Sequence, residues 1–322
     1  MDITAANLDI IYRSAQNTWQ TALEATPVLH PQIATTVPMG SRQVTNAFLD
    51  RIPMMRKWLG ERVITNAIAH SRTITAELYE QTVSLDKFDI KDDQLGLWSY
   101  TVQMQAEAGA KHPDQLIYTF LREQAATVLG YDGVPVYSTA HPILGGVAGP
   151  APAGAPATQS NLLTSTALTY DNYVSARAQM RSWLGADGAP MMVTPTALMV
   201  GPELEGSAKL ILEADFLAAF ASTATSNASQ TNTYKGTASI IVNPWLSGMP
   251  NNWFLLDLSG PIKPYAFYML DPVTMTALVN PSDGNVFLNH KFIWGIESRD
   301  AACETVWWKS LAATSEAAYY PA

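Results

Sequence analysis

The sequence predicts an α+β fold, and three observations carry that prediction. Short strand-like runs are mixed with helical ones without a regular strand–helix rhythm, which argues against a doubly wound parallel sheet. A charge-rich first half, with about a quarter Asp, Glu, Lys and Arg from Asp50 to Gly133, gives way abruptly to Val134–Tyr170, which contains no charged residue. The length of 322 residues allows about two domains, and a single cysteine excludes an internal disulfide framework or a Cys-rich zinc site.

In chain order, residues 4–23 read as an amphipathic helix: Thr4 is placed to cap it, and Leu8, Ile11, Ala15, Trp19 and Ala22 recur at three- and four-residue steps. It serves either as an arm or as a helix packed on its own domain. Pro27, Pro31 and Pro38 impose an extended connection. Pro53–Gly60 reads as a short helix closed by its glycine. Arg62–Ile90 lacks Pro and Gly and is rich in Val, Ile, Thr and Tyr, so it reads as strands. Its halves, around Arg72–Ala76 and Gln81–Phe88, are expected to pair with each other as a long two-stranded hairpin. Leu97, Tyr100, Met104 and Ala108 mark a helix, and Pro113 is either the first residue of a second helix or a bend in a single long one. Gly145–Ala157 reads as a linker or surface tract. Beyond it, helices are expected over Asp171–Leu184 and Glu203–Glu213. Strands are expected over Met191–Thr194, Ala197–Val200, Ser239–Val242, Trp253–Leu256 and Val286–Ser310, and a loop over Ser222–Thr233.

Composition narrows the function. Hydrophobic residues make up 48% and charged ones 15%, so a monomer exposes much uncharged surface, which burial against neighbouring subunits relieves. The net charge of −9 argues against gripping nucleic acid by its phosphates. The acidic N-terminus has no signal-peptide pattern, and stretches such as Ala189–Val200 are short and broken by proline, so a soluble, cytoplasmically made protein without membrane or cofactor is expected.

The five histidines, His30, His70, His112, His141 and His290, lie far apart and form no HExxH pattern; they read as turn, strand or cap residues. Cys303 reads as a buried structural thiol. Asp89, Asp92 and Asp93 form the densest acidic cluster, read as a solvated turn with helix-capping charge rather than a cation site. Neither a GxSxG elbow nor a phosphate-cradling GxxxxGK[ST] loop occurs. No catalytic, cofactor or metal site is expected.

The order of local motifs resembles the major head subunit of Mu-like phages and prophages. Pro53, Arg56, Trp58, Gly60 and Arg62 resemble its P-x-x-R-x-W-x-G-x-R stretch, and Val83–Asp93 its acidic lead into the long helix. His112-Pro113-Asp114-Gln115-Leu116 resembles its HPDEL helix start. Tyr131-Asp132-Gly133 with Thr139-Ala140-His141-Pro142 resembles its YDG…TxHP turn, and Phe292–Leu311 its closing strands. The resemblance implies a Hong-Kong-97-type capsid fold: an N-terminal arm (1–45), an extended-loop hairpin and its base (46–94), a peripheral domain with spine helix and linker (95–165), an axial domain (166–265), and peripheral return strands with the C-terminus (266–322). It implies a homo-oligomer of pentamers and hexamers in the virion, enclosing double-stranded DNA, with a scaffold, maturation protease, portal and decoration protein as partners. A tail component and a hydrolase built around His141 or His290 are the alternatives. Assembly contacts are expected at Arg72, Thr73, Ile74, Thr75, Ala76, Glu77, Leu78, Tyr79 and Glu80. Deleting the hairpin tip, about Thr73–Glu80, is expected to leave a folded subunit that closes no shells. The namesake phage cross-links its shell through an extended-loop lysine, and none lies between Lys57 and Lys87 here.

Overall fold

The computed structural model describes residues 5–49, 69–86, 88–89, 97–125, 127–143, 157–185, 189–218, 229–280 and 283–315. The expected Pro53–Gly60 helix, most of the 89–93 acidic cluster and nearly all of the Gly145–Ala157 tract lie outside those residues.

The arm helix, Ala5–Ala25, buries Ala15 and Trp19. A single turn of helix (His30–Ile33) leads into β1 (Ala34–Pro38), so the proline-rich connection becomes a strand. Next come β2 (Gln43–Leu49), β3 (Ala69–Thr75) and β4 (Glu77–Asp86). The spine helix, Leu97–Thr119, continues through Pro113 and ends in a π-turn over Phe120–Gln124, closed by Ala125 N–H donating to Phe120 O at 3.0 Å. Pro113 therefore bends no chain into two helices. Short pairings at β5 (His141–Pro142), β6 (Thr158–Gln159) and β7 (Leu162–Leu163) precede a helix over Tyr170–Ser182. Then follow β8 (Ala197–Val200), a helix over Glu205–Leu212, β9 (Phe216–Ala218), β10 (Ser229–Thr231), β11 (Ser239–Val242) and β12 (Asn252–Leu256). The chain closes with β13 (Tyr265–Leu278), a short helix (Gly284–Asn289), β14 (Lys291–Glu304) and β15 (Ser310–Thr314).

Two sheets organise these elements. The four-stranded sheet runs β1-β13-β14-β4, and the five-stranded sheet β11-β8-β12-β15-β7. The spine helix and arm helix cover one face of the first, where Phe292, Trp294 and Ile296 meet Val102, Ala106, Ala15 and Trp19. The approach is close at Gly109: a Cβ there would lie 3.0 Å from Val273 Cγ1. Gln105, buried on the same helix, donates to the carbonyls of Gln81 and Trp294 at 3.2 and 3.3 Å.

The second sheet is apolar on both faces. Along β8, Ala197 and Met199 point into the core shared with the spine helix and β13, whereas Leu198 and Val200 point into a core with the Tyr170–Ser182 and Glu205–Leu212 helices. Phe254 and Leu256 divide from Trp253 and Leu255 in the same way. Burial on both sides explains why these strands read as unbroken apolar runs.

Several expectations are corrected. Arg72–Ala76 and Gln81–Phe88 do not pair with each other: β3 pairs with β2, Gln43 opposite Thr75, and β4 pairs with β14, Asp86 opposite Lys291. Only Ala76 separates β3 from β4, and its N–H donates to Arg42 O at 2.8 Å, which leaves no room for a reversing turn. Met191–Thr194 is not a strand, and Val286–Asn289 is helical. Part of the expected loop at 222–233 is β10, paired with β9. β15 joins the five-stranded sheet rather than the sheet of β13 and β14.

Cys303 is buried, and burial pushes its thiol up to about 12. A thiol reagent at pH 8 is therefore expected to label the chain only after denaturant is added; stoichiometric labelling of the native chain contradicts this placement.

Candidate assembly surface

The chemistry-bearing residues serve as internal pins. His141 is fully buried: Nδ1 lies 2.6 Å from Asp132 Oδ2, Nε2 lies 3.0 Å from Asn161 Oδ1, and the ring stacks on Trp307 with centroids 4.5 Å apart. Asn161 in turn donates to the carbonyls of Val136 and Trp307. Gly133 takes a φ of +79°, a conformation that favours glycine, and it lets Asp132 turn towards the imidazole. The Tyr131–Gly133 and His141–Pro142 motifs are thus two halves of one buried contact. With both ring nitrogens engaged and the ring inaccessible, His141 is in no position to activate a nucleophile.

The His112–Leu116 motif is a second pair of pins, one on each side of Pro113. His112 Nε2 meets Asp300 Oδ1 of β14 at 3.0 Å, and Tyr79 of β4 packs on its ring, centroids 4.5 Å apart. Burial and the nearby Glu77 and Asp300 carboxylates hold the Tyr79 hydroxyl at about 12. Asp114 accepts from Leu29 N–H at 2.8 Å and His30 N–H at 2.7 Å, and its Oδ1 lies 2.9 Å from His30 Nδ1. It anchors the end of the arm to the spine. Replacing Asp114 with Ala leaves two backbone N–H groups without their acceptor, at a cost of about 1.5–3 kcal/mol for bonds to a charged group. The expected readout is faster hydrogen exchange at Leu29 and His30 with the sheet amides unchanged; uniform acceleration across the chain would argue against a local pin.

Arg72 of β3 donates to Glu304 at the end of β14, a contact that fixes the ribbon base to the four-stranded sheet. Burial raises the Glu304 carboxyl above its ordinary range, and the guanidinium draws it back. Asp300 and Glu304, which partner His112 and Arg72, were not singled out from sequence, and Asp132 was named only within its motif, without His141 as its partner. The available signal was a carboxylate within an apolar run, as in Asp300-Ala301-Ala302-Cys303-Glu304. His30 and His112 tie elements together through Asp114 and Asp300, and the His290 ring packs on Phe88 at 5.5 Å. The side chain of His70 falls outside the described residues. Among the described residues no group of three or more His, Cys, Asp or Glu could hold a metal ion, and no helix is long and apolar enough to cross a membrane.

The nine residues at 72–80 therefore divide. Ile74 and Ala76 are buried and Arg72 is engaged internally, while Thr75 and Tyr79 are half-buried. Thr73, Glu77, Leu78 and Glu80 face solvent, Leu78 with 66% of its surface exposed. The β2–β3 ribbon above them pairs with no other strand among the described residues.

An arm, a separate two-stranded ribbon, a long helix across a four-stranded sheet and a second layer with its own core together define a capsid subunit of the Hong-Kong-97 type. The chain superposes on a subunit of the bacteriophage JBD30 procapsid with a TM-score of 0.59, at 24% identity over 97% of this chain and 76% of that one. It also superposes on a subunit of the JBD30 capsid decorated with minor capsid protein trimers, with a TM-score of 0.54 at 23% identity over 76% of this chain and 99% of that one. The family described as Mu-like prophage major head subunit gpT matches residues 8–167, 146–246 and 247–319, and the chain belongs to it. The major capsid protein of Escherichia phage Mu is 22% identical over 312 residues, 97% of this chain and 75% of the relative. The Mu-like prophage FluMu major head subunit of Haemophilus influenzae is 28% identical over 121 residues, 38% of this chain and 39% of the relative. The protein is the major capsid protein of a tailed-phage head.

Proposed function

We propose that copies of this chain self-assemble into pentamers and hexamers of an icosahedral shell that encloses double-stranded DNA. The observation that carries this reading is the β2–β3 ribbon, which among the described residues pairs with no third strand. An isolated two-stranded ribbon is marginal in water, so its cover comes from a neighbouring subunit. The four-stranded sheet with its spine serves as the peripheral domain and the five-stranded layer as the axial domain. The contribution of residues 72–80 to assembly falls to Thr73, Glu77, Leu78 and Glu80. The role is structural, without catalysis, and assembly proceeds in the host cytoplasm. A scaffold, a maturation protease, a portal and a decoration protein act on the shell; the JBD30 relative decorated with minor capsid protein trimers supports the last. The acidic chain encloses DNA without gripping it, since counterion release requires Lys and Arg against phosphate.

Sedimentation and negative-stain imaging of the expressed chain test the reading. Closed shells or ring-shaped capsomers are expected; tubes would indicate a tail component, and a small soluble oligomer would contradict self-assembly. Particles boiled in detergent are expected to run as single chains, because neither ribbon strand, Gln43–Leu49 or Ala69–Thr75, carries a lysine to form an isopeptide bond. A ladder of covalent multimers would overturn that expectation.

A further inference from the structure

We infer that His141 is a buried imidazolium, protonated at both ring nitrogens, and that with Asp132 and Asn161 it forms a pH-sensitive clasp between the two layers of the subunit.

Asn161 sets the proton count. Its Nδ2 donates to the carbonyls of Val136 and Trp307 at 2.8 and 3.3 Å, and its Oδ1 accepts from Ser138 N–H at 2.9 Å. Turning the carboxamide over would set its oxygen against two carbonyl oxygens and its NH2 against an N–H. Three contacts therefore fix the oxygen as the atom that faces His141. Oδ1 carries no proton, so Nε2, 3.0 Å away, must donate. The other nitrogen, Nδ1, lies 2.6 Å from Asp132 Oδ2. A neutral ring with its proton on Nε2 would turn a lone pair towards that carboxylate, at a distance where a proton belongs between the two atoms. That further proton sits on nitrogen, because imidazole is ordinarily the stronger base, about 6.5 against about 3.9 for an aspartate.

The surroundings favour a positive ring. Trp307 stacks on it with an interplanar angle of 5°, and the face of the indole attracts a cation. Asp132 Oδ1 and Glu304 Oε1 lie 3.1 and 3.4 Å from the point that a Cβ on Gly130 would occupy, so a second carboxylate stands behind the first. Arg72 is engaged with Glu304, and Lys309, two residues beyond Trp307, is held by Asp257 at 3.3 Å. The clasp also spans the layers. Val136 and Tyr137 belong to the core shared with the spine helix, and Trp307 to the core on the other face of the five-stranded sheet. Asn161 N–H donates to Ser138 O at 3.1 Å, and Ala312 N–H of β15 donates to Asn161 O at 2.9 Å, so ring, carboxamide and sheet form one connected path.

An unfolded chain releases the second ring proton above about pH 6.5, whereas the folded chain keeps it, so the clasp stabilises less as pH rises. Asp132→Asn removes the need for that proton. Its oxygen keeps the Val134 N–H, 3.3 Å from Asp132 Oδ1 in the wild type, and its amide donates to a bare Nδ1. Magic-angle-spinning NMR at pH 7.5, on full chains with 15N in the histidine rings, reads the protons directly. The ring that correlates through space with Trp307 is expected to carry two N–H groups in the wild type and one in Asp132→Asn. A single N–H on that ring in the wild type would overturn the imidazolium. Urea midpoints distinguish a proton-bearing clasp from a contact that only packs. Between pH 7 and 9 the wild-type midpoint is expected to drop further than that of Asp132→Asn, and parallel falls would overturn the pH-sensitive clasp. Should Asp132→Asn fail to fold, the wild-type ring spectrum decides alone.

Discussion

Excision of Thr73–Glu80 is expected to leave no folded subunit. The segment is not the tip of a projecting hairpin, as the strand pattern suggested, but the corner where the ribbon enters the four-stranded sheet. Its loss removes Ile74, 5% exposed, and Ala76, 1% exposed, from the core shared with the spine helix. It removes the β4 partners of Asp300, Arg299, Ser298 and Glu297. It strips Tyr79 from His112. Losing one large buried aliphatic side chain costs about 2–5 kcal/mol, and the lost ladder adds to that, against a total stability of roughly 5–15 kcal/mol. Circular dichroism and limited proteolysis of the soluble fraction provide the check. A variant that melts cooperatively near the wild-type temperature would show that the corner is dispensable.

Breaking the Arg72–Glu304 pair from the arginine side is expected to be the most damaging single substitution at an ion pair of the described residues. Glu304 is 2% exposed, and among the described residues its Oε2 has no hydrogen-bond partner. Arg72→Met strands that carboxylate, and removing one partner of a buried pair costs about 3–5 kcal/mol. The loss should depend on pH with a definite sign. Burial already holds Glu304 above its ordinary range, and without the guanidinium it rises further. In the variant the folded chain then keeps a proton that the unfolded chain releases near its ordinary pKa of about 4.3. Stability therefore falls as pH rises from there through the raised folded pKa. The urea midpoint of Arg72→Met is expected to lie far below wild type at pH 8 and to close part of the gap at pH 5. Arg72→Met combined with Glu304→Gln is expected to recover much of the loss, since the buried charge is gone. A deficit equal at both pH values would sink the stranded-carboxylate account.

Local signals carried a good part of the fold. The apolar spacing of Ala15, Trp19 and Ala22 marks the arm helix, and Ser239–Val242 and Trp253–Leu256 fall on β11 and β12 as expected. Periodicity and caps are properties of a few neighbouring residues, so they survive without tertiary context. The charge-poor composition pointed to burial between subunits, and motif order pointed to the family. Strand partnership was not legible. Arg72–Ala76 and Gln81–Phe88 are both strand-like and adjacent, so a hairpin was the economical reading, yet their partners lie at Gln43–Leu49 and Lys291–Glu304. Nor did sequence disclose that Asp132 waits for His141, Asp300 for His112 and Glu304 for Arg72. Local sequence was enough to place most of the helices and several of the strands, and motif order was enough to place the family. Only the tertiary structure decided which strands meet and which charges are buried together, because pairing register and ion-pair burial depend on contacts between residues far apart in the chain, which local propensity does not encode.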